Sequence, residues 1–543
     1  MTTLNGFTFR NTNRHETRDA ARRWALGIVF TTLMVTPLMA QQPADWPMFG
    51  QNTANTGSNS AEGNISAKNA YQLKTKWTFT TGGDVSARAA VVGGVAYFPD
   101  WGGNLSAVNA NNGKLIWSHQ LSDYGLAANT HSRTSPAVVN GVLYLGTQEG
   151  AYLLAINAGS GALIWKTELE TPNVDPFAIV TTSPAVSGGT VYAGVASTEE
   201  AVAAFIPGFV CCHSRGSVVA VNAATGGIQW KTYTIPSTGY SGGGVWGSNP
   251  VVDAARNTIF VGTGNNYSKP TDPAYLDCIS HGGFESTCLS PDDHVDSILA
   301  LDMSTGALKW ATRLVTWNQY GVVDGSDDWN VACFVPPFTN CPAAPTGPDY
   351  DFGSAPNEIT YQTANGPRTI IGAGQKSGIY YALDPDSGAV QWQAQIGPGS
   401  SLGGMEWGSA TDGNRIYVAI ANFYGIPYGS GSAGSWAALD PATGAILWQR
   451  ADPNGAVDIG PMAVANGVVY ASSMAGSPAT APTMLAMDAS TGKTVWSFAA
   501  GSSVNAGATI VNGIVYWGSG YAHLGIPGYT GNNKFYAFSK NGN

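Results

Sequence analysis

Residues 105–117 read LSAVNANNGKLIW, and the phrase returns as LLAINAGSGALIW (153–165), VVAVNAATGGIQW (218–230), ILALDMSTGALKW (298–310), YYALDPDSGAVQW (380–392), WAALDPATGAILW (436–448) and MLAMDASTGKTVW (484–496). Each copy carries an Ala-bearing strand, an Asn or Asp turn, a Gly, and a second strand closed by Trp. Gly supplies the turn with positive φ, Asn or Asp bonds back to the turn backbone, and the indole is placed to dock between neighbouring sheets. One such hairpin cannot bury its faces alone. Stacked radially, four-stranded blades bury each other and leave few exposed edges. An eighth tryptophan, Trp77 in QLKTKW, lacks its preceding half, and that half stands at the far end of the chain as KFYAFSKNG (534–542). The repeat therefore predicts an all-β, eight-bladed β-propeller closed by pairing of the N- and C-terminal strands.

Between successive repeat tryptophans the spacing is 40, 48, 65, 80, 82, 56 and 48 residues, so the middle blades carry insertions. Loops on a rigid scaffold are where function gathers, which directs attention to about residues 170–430. The repeat alone serves an enzyme and a protein-binding scaffold equally well.

Composition agrees with many short strands. There are 69 Gly, 30 Pro, 17 Trp and 23 Tyr, with only 11% charged residues. A formal net charge of −10 gives no attraction for phosphate backbones or anionic lipid, which removes a nucleic-acid partner from consideration. Arg10, Arg14, Arg18, Arg22 and Arg23 precede the apolar run Trp24–Met39, then Ala40. That is the pattern of a signal peptide over 1–40, leaving 41–543 as a single mature domain. The run is short of the roughly 18 to 20 apolar residues of a spanning helix, and no Cys follows it as a lipid anchor would need. Export to the periplasm of a Gram-negative cell, or secretion, is expected.

Six cysteines in an oxidising compartment read as disulfides. Cys278 with Cys288 and Cys333 with Cys341 sit close in sequence. Cys211 and Cys212 are adjacent; a bond between neighbours closes a strained eight-membered ring and is rare, and an exchanged partner is the alternative. No Cys-x-x-Cys-His motif for covalent haem occurs.

From Asp45-Trp46-Pro47 to the C-terminus, the repeat resembles the tryptophan-docking motif of quinoprotein (PQQ-dependent) alcohol dehydrogenases. Five fragments in order, CCHSRGSVVAVNAATG (211–226), VWGSNPVVDAARNTIFVGTGNNY (245–267), GPDYDFGSAP (347–356), GAGQKSGIYYALD (372–384) and GGMEWGSATDGNRIYVAIANF (403–423), are similar to the polyvinyl alcohol dehydrogenases within that family. The resemblance implies oxidation of secondary hydroxyls with PQQ and calcium, and electron transfer to a cytochrome c. Lacking a haem motif, this sequence would use a separate carrier.

Such chemistry asks for oxygen donors around a hard cation, a planar face for the quinone, cations for its carboxylates, and one base. The resemblance places Glu199 as carboxylate ligand, with Glu200 a rival, and Asn265 as amide ligand. Trp246 falls where an indole lies flat on the cofactor; it stands outside the repeat register, which Trp230 already fills. Cys211 and Cys212 match a disulfide covering the other ring face. Arg133 in HSRTSP and Arg215 are both candidates for the PQQ carboxylates, and Thr181 for a hydroxyl contact. Asp349 in PDYD matches the catalytic base, also within reach of the metal, although Pro348 stands where the family's signature has Trp. Asp351 matches the extra carboxylate some relatives give the metal, which keeps a lanthanide open. Lys376 in GQKSG matches the cation at the quinone oxygens. DDWN (327–330) looks similar but has Asn where a base is needed. Alternatives to the polymer reading are the same chemistry on another secondary alcohol or polyol, and a cofactor-free periplasmic scaffold.

Overall fold

The structure is a computed structural model that describes residues 44–247, 249–283, 285–314, 349–429 and 431–543. The leader 1–40, the Cys333–Cys341 pair, DDWN (327–330) and Pro348 lie outside the described residues.

Eight antiparallel sheets form the blades of a propeller; the first seven run in chain order from the innermost strand outward, the third with an additional short strand, Ala178–Ile179, paired to Thr190–Ser197. The first blade is typical: Ala90–Val92, Val95–Pro99, Asn104–Asn109 and Leu115–Gln120. Its inner strands are rich in Val, Ala and aromatic residues and buried on both faces, because blades cover them from either side. In the eighth blade the outermost strand is Leu73–Thr80, paired antiparallel with Lys534–Lys540 at the opposite end of the chain. The split repeat is thus rejoined, and Trp77 pairs with Ala537 as Trp117 pairs with Ala107.

The repeat owes its composition to contacts with the next blade. Trp117 Nε1 donates to Ala158 O at 2.9 Å, Trp230 to Met303 O at 3.1 Å and Trp448 to Ala489 O at 3.0 Å, each time reaching the carbonyl just after the Asn or Asp of the following turn. The glycine of that turn is fixed twice over. Gly113, Gly161, Gly226, Gly306, Gly388, Gly444 and Gly492 have φ between +69° and +75°, and a Cβ on any of them would lie 2.5–2.9 Å from the preceding blade's indole. Only a residue without a side chain meets both conditions. Register slips by one residue immediately after the Ala–Trp pair, as between Ala107/Val108 and Ala438/Leu439, a bulge that sharpens the twist of the outer strand. Trp496 donates instead to Leu73 O at 2.9 Å, since the chain termini occupy the place of the turn there.

A second tie runs along the axis. The segment after Asp45 passes from blade to blade, its carbonyls accepting from inner strands: Pro47 O from Val138 N (2.7 Å), Thr53 O from Val252 N (2.8 Å), Ala54 O from Glu358 N (2.9 Å), Thr56 O from Thr411 N (2.8 Å) and Gly57 O from Val464 N (2.9 Å). Asn59 Nδ2 reaches Ile510 O at 2.7 Å. Arg88, buried at the axis, donates to Phe49 O (2.7 Å) and Met462 O (2.8 Å) between the rings of Trp46 and Phe49.

The longer middle blades bear helices Glu199–Phe205 and Pro273–Ser280, the latter capped by Asp272 and tied by the Cys278–Cys288 disulfide. Cys211 and Cys212 are bonded to each other. Among the described residues no helix is long and apolar enough to cross a membrane.

Trp448 is 6% exposed and Leu447 beside it 48%. Trp448→Ala is expected to cost about 3–5 kcal/mol in denaturant unfolding, against about 0.5 kcal/mol or less for Leu447→Ala. Equal small losses would show that the docked indole does not hold the blades.

Candidate active site

At one end of the axis a cavity of about 300 Å³ opens among loops from the second blade to the eighth. Its charged floor centres on Lys376, in the loop after strand Gly366–Gly374. Lys376 Nζ lies 3.0 Å from Asp349 Oδ2 and 2.6 Å from Asp351 Oδ1. The other oxygen of Asp351 accepts from Trp246 Nε1 at 2.7 Å, and the ammonium stands 5.1 Å from the centre of the Trp246 ring. Burial works against the charge on Lys376, but Asp349, Asp351 and Glu406 outweigh it and hold its pKa well above the usual lysine value. Asp349 is buried and takes φ +59°, a left-handed conformation that Asp tolerates better than most residues.

Trp246 is shelved on bare backbone. A Cβ on Gly353 would lie 2.5 Å from its ring, and one on Gly264 would lie 2.9 Å from Asp351 Oδ2, so this Trp–Asp pair requires glycine on both sides. Thr181 Oγ1 donates to Trp246 O at 2.9 Å, fixing its backbone from the neighbouring blade.

Glu199 and Glu200 part company at the start of their helix. Glu199 Oε2 accepts from His213 N and Ser214 N, both at 2.7 Å, and Oε1 lies 3.1 Å from His213 Nδ1, so this carboxylate anchors the loop that follows Cys211–Cys212. Glu200 lines the cavity, and among the described residues its covered Oε2 has no hydrogen-bond partner. Asn265 and Tyr267 line the cavity beside it. Burial lifts Glu200 to about 8, with Lys376 opposing and Asp351 adding.

Arg133 also faces the cavity: it donates to Tyr521 Oη at 3.0 Å and its guanidinium lies 4.2 Å from the Trp407 ring centre. Arg215 lies elsewhere, against Tyr233 (3.9 Å) and donating to Ile235 O at 2.8 Å. Cys211 and Cys212 are not among the described side chains that line the cavity; Cys211 Sγ lies behind Tyr267, 3.9 Å from its carbonyl.

Three lining groups were not singled out in the sequence. Trp407 meets Trp246 edge to face at 5.5 Å and takes φ +59°, costly for so bulky a residue. Glu406 is lifted to about 7 by burial, with Lys376 opposing and Asp351 adding. Tyr529 closes the eighth-blade side. The signal was present: MEWGSA (405–410) echoes VWGSNP (245–250), the same Trp-Gly-Ser ahead of a blade's inner strand.

Residues 41–207, 375–520 and 432–543 match the PQQ_2 family model, described as outer membrane protein assembly factor BamB. Two of the stretches overlap, as expected where a repeat aligns in more than one register. The polyvinylalcohol dehydrogenase of Sphingopyxis sp. (strain 113P3) is 32% identical over 503 residues, covering 83% of this chain and 69% of that protein. The chain belongs to the polyvinyl alcohol dehydrogenase family, within these PQQ_2 repeat proteins. The polyvinylalcohol dehydrogenase of a Pseudomonas species is 29% identical, covering 90% of this chain and 75% of that protein. The fold matches a quinohemoprotein alcohol dehydrogenase from Pseudomonas putida HK5 with a TM-score of 0.69 at 19% identity, over 92% of this chain and 81% of that one. Trp246, Asn265, Asp349 and Asp351 fall between the PQQ_2 stretches, in sequence the repeat model leaves unmatched.

A carboxyl whose pKa is raised by folding contributes stability at low pH that is lost as pH rises through the folded value. For Glu200 that window runs from its ordinary 4.5 to about 8. Without added metal or cofactor, Glu200→Gln is expected to lose less Tm than wild type across this range in thermal melts. Parallel curves would rule out a Glu200 carboxyl raised by its surroundings.

Proposed function

We propose that this protein is a PQQ- and calcium-dependent dehydrogenase that oxidises secondary alcohols, polyvinyl alcohol foremost, to ketones, and passes the electrons to a separate cytochrome c. The single observation that carries the reading is Lys376 held between Asp349 and Asp351 at the floor of a cavity walled by Trp246.

The donor set suits the cofactor and its metal. Among the described residues the carboxyls of Glu200, Asp351 and Glu406 line the cavity together with Lys376 and Arg133, and Asp349 is paired to Lys376, a carboxyl-rich set that a divalent cation would draw into its charged form. Glu200, with its orphaned Oε2, and Asn265 are the donors for it, while Glu199 is engaged with the 213–214 backbone. Calcium is the ion proposed; Asp351, paired with Lys376 and Trp246, is the additional carboxylate that a lanthanide in its place would use. Trp246 supplies the planar face, and Arg133 and Thr181, which line the same cavity, the further polar contacts. The Cys211–Cys212 disulfide meets the wall only at Tyr267, and Arg215 lies away from it.

PQQ, when bound, supplies a carbon that accepts hydride, made more electrophilic by the metal acting as Lewis acid. Asp349 receives the hydroxyl proton of the substrate, and Lys376, charged throughout the neutral range, holds that carboxylate in place. Trp246 and Trp407 restrict water at the reacting face. The 1–40 leader supports a periplasmic setting.

Purified protein given PQQ and calcium is expected to change its absorption spectrum and reduce a dye with 2-butanol. No spectral change and no thermal shift would refute the reading. Asp349→Asn is expected to keep PQQ uptake and lose about 10²- to 10⁴-fold in turnover; full activity in that variant would remove Asp349 as base.

A further inference from the structure

The cavity is charged at its floor and apolar at its mouth. Leu402 and Leu524 line it yet are 39% and 42% exposed, and Ile526 stands beside Leu524's loop. Ala201, on helix Glu199–Phe205, also lines it. Phe205 follows Ala201 by four residues, one helical turn along the same face, and is 69% exposed. Tyr424, 54% exposed, is joined through its hydroxyl to Ser401 Oγ (3.2 Å), another lining residue. These side chains come from loops of the third, sixth and eighth blades and the connection between the fifth and sixth, so they flank the opening from different sides. None carries a charge.

We propose that this collar binds the flanking units of a neutral chain polymer alternating methylene and carbinol groups, with one hydroxyl entering the cavity while neighbouring methylenes lie on Phe205, Leu402, Tyr424 and Leu524. This rests on the secondary-alcohol reading above and adds the part of the protein that grips the polymer. A cavity of about 300 Å³ is at the small end for a drug-sized ligand, so with a tricyclic cofactor inside, a long chain must leave through the mouth. A neutral chain of repeated methylenes gains from apolar cover and nothing from charge, which is what the collar offers. A charged carrier protein would need complementary charges that these side chains lack.

The test uses protein loaded with PQQ and calcium, and two substrates, polyvinyl alcohol and 2-butanol. Phe205→Ser and Tyr424→Ser are each expected to lower kcat/KM on the polymer about fivefold to tenfold, with less than twofold change on 2-butanol. Wild type is expected to be retained on crosslinked polyvinyl alcohol beads at low and high salt, and the variants to elute early. Equal losses on both substrates, no loss on the polymer, or retention abolished by salt would overturn the collar. Wild-type turnover of 2-butanol reports on the dehydrogenase reading separately, and bead retention reports on the collar even without turnover.

Discussion

Everything in this molecule depends on an indole of one blade lying on the turn glycine of the next and donating to the carbonyl beside it. The contact combines a large apolar area with one directional bond, so it fixes both distance and rotation between neighbouring sheets. Repeated round the ring, it sets the width of the axial channel. Where the chain ends interrupt the pattern, Trp496 finds Leu73 O instead, and closure is preserved by pairing Leu73–Thr80 with Lys534–Lys540. The segment from Trp46 to Asn59 reinforces the ring from within, because backbone groups of the inner strands that face the axis need partners and find them there.

A frame held this way tolerates local cost at its centre. Asp349 and Trp407 hold left-handed backbone, Glu200 and Glu406 are carboxyls pushed up by burial, and Glu200 keeps an oxygen without a partner among the described residues. Scattered over a small domain such features would be destabilising. Gathered on three loops, they meet at one floor, and the rigid ring keeps them converged. Arg88 is a different case: a buried cation whose pKa burial lowers to about 9, whose two terminal nitrogens donate to backbone carbonyls beside aromatic faces, and part of the frame.

The fold was legible because its deciding contact is written in residue types with few substitutes. Gly at positive φ under a ring, Asn or Asp at the turn, and Trp at fixed spacing all survive as a visible repeat, and even the split repeat at Trp77 and Ala537 could be rejoined on paper. The site was legible in part. Trp246, Asp349, Asp351 and Lys376 were named and converge on one floor. Arg133 and Arg215 could not be told apart, because both sit in similar Ser-Arg contexts and only the direction of each loop separates cavity from blade edge. Glu199 and Glu200 are neighbours in sequence, and their roles are divided by helix geometry, which turns successive residues about 100° apart. Glu406 and Trp407 stayed hidden because their role comes from facing Trp246 across the axis.

By itself the sequence determined the number of blades, the way the ring closes and the chemical kinds of residue available near the axis, since these follow from short-range turn and strand rules repeated along the chain. Which carboxylate faces the cavity, which arginine meets the aromatic wall and which apolar side chains ring the mouth were decided only by the tertiary structure. Those choices depend on the directions of loops from blades far apart in sequence, and no local pattern encodes a direction that is set by closing the circle.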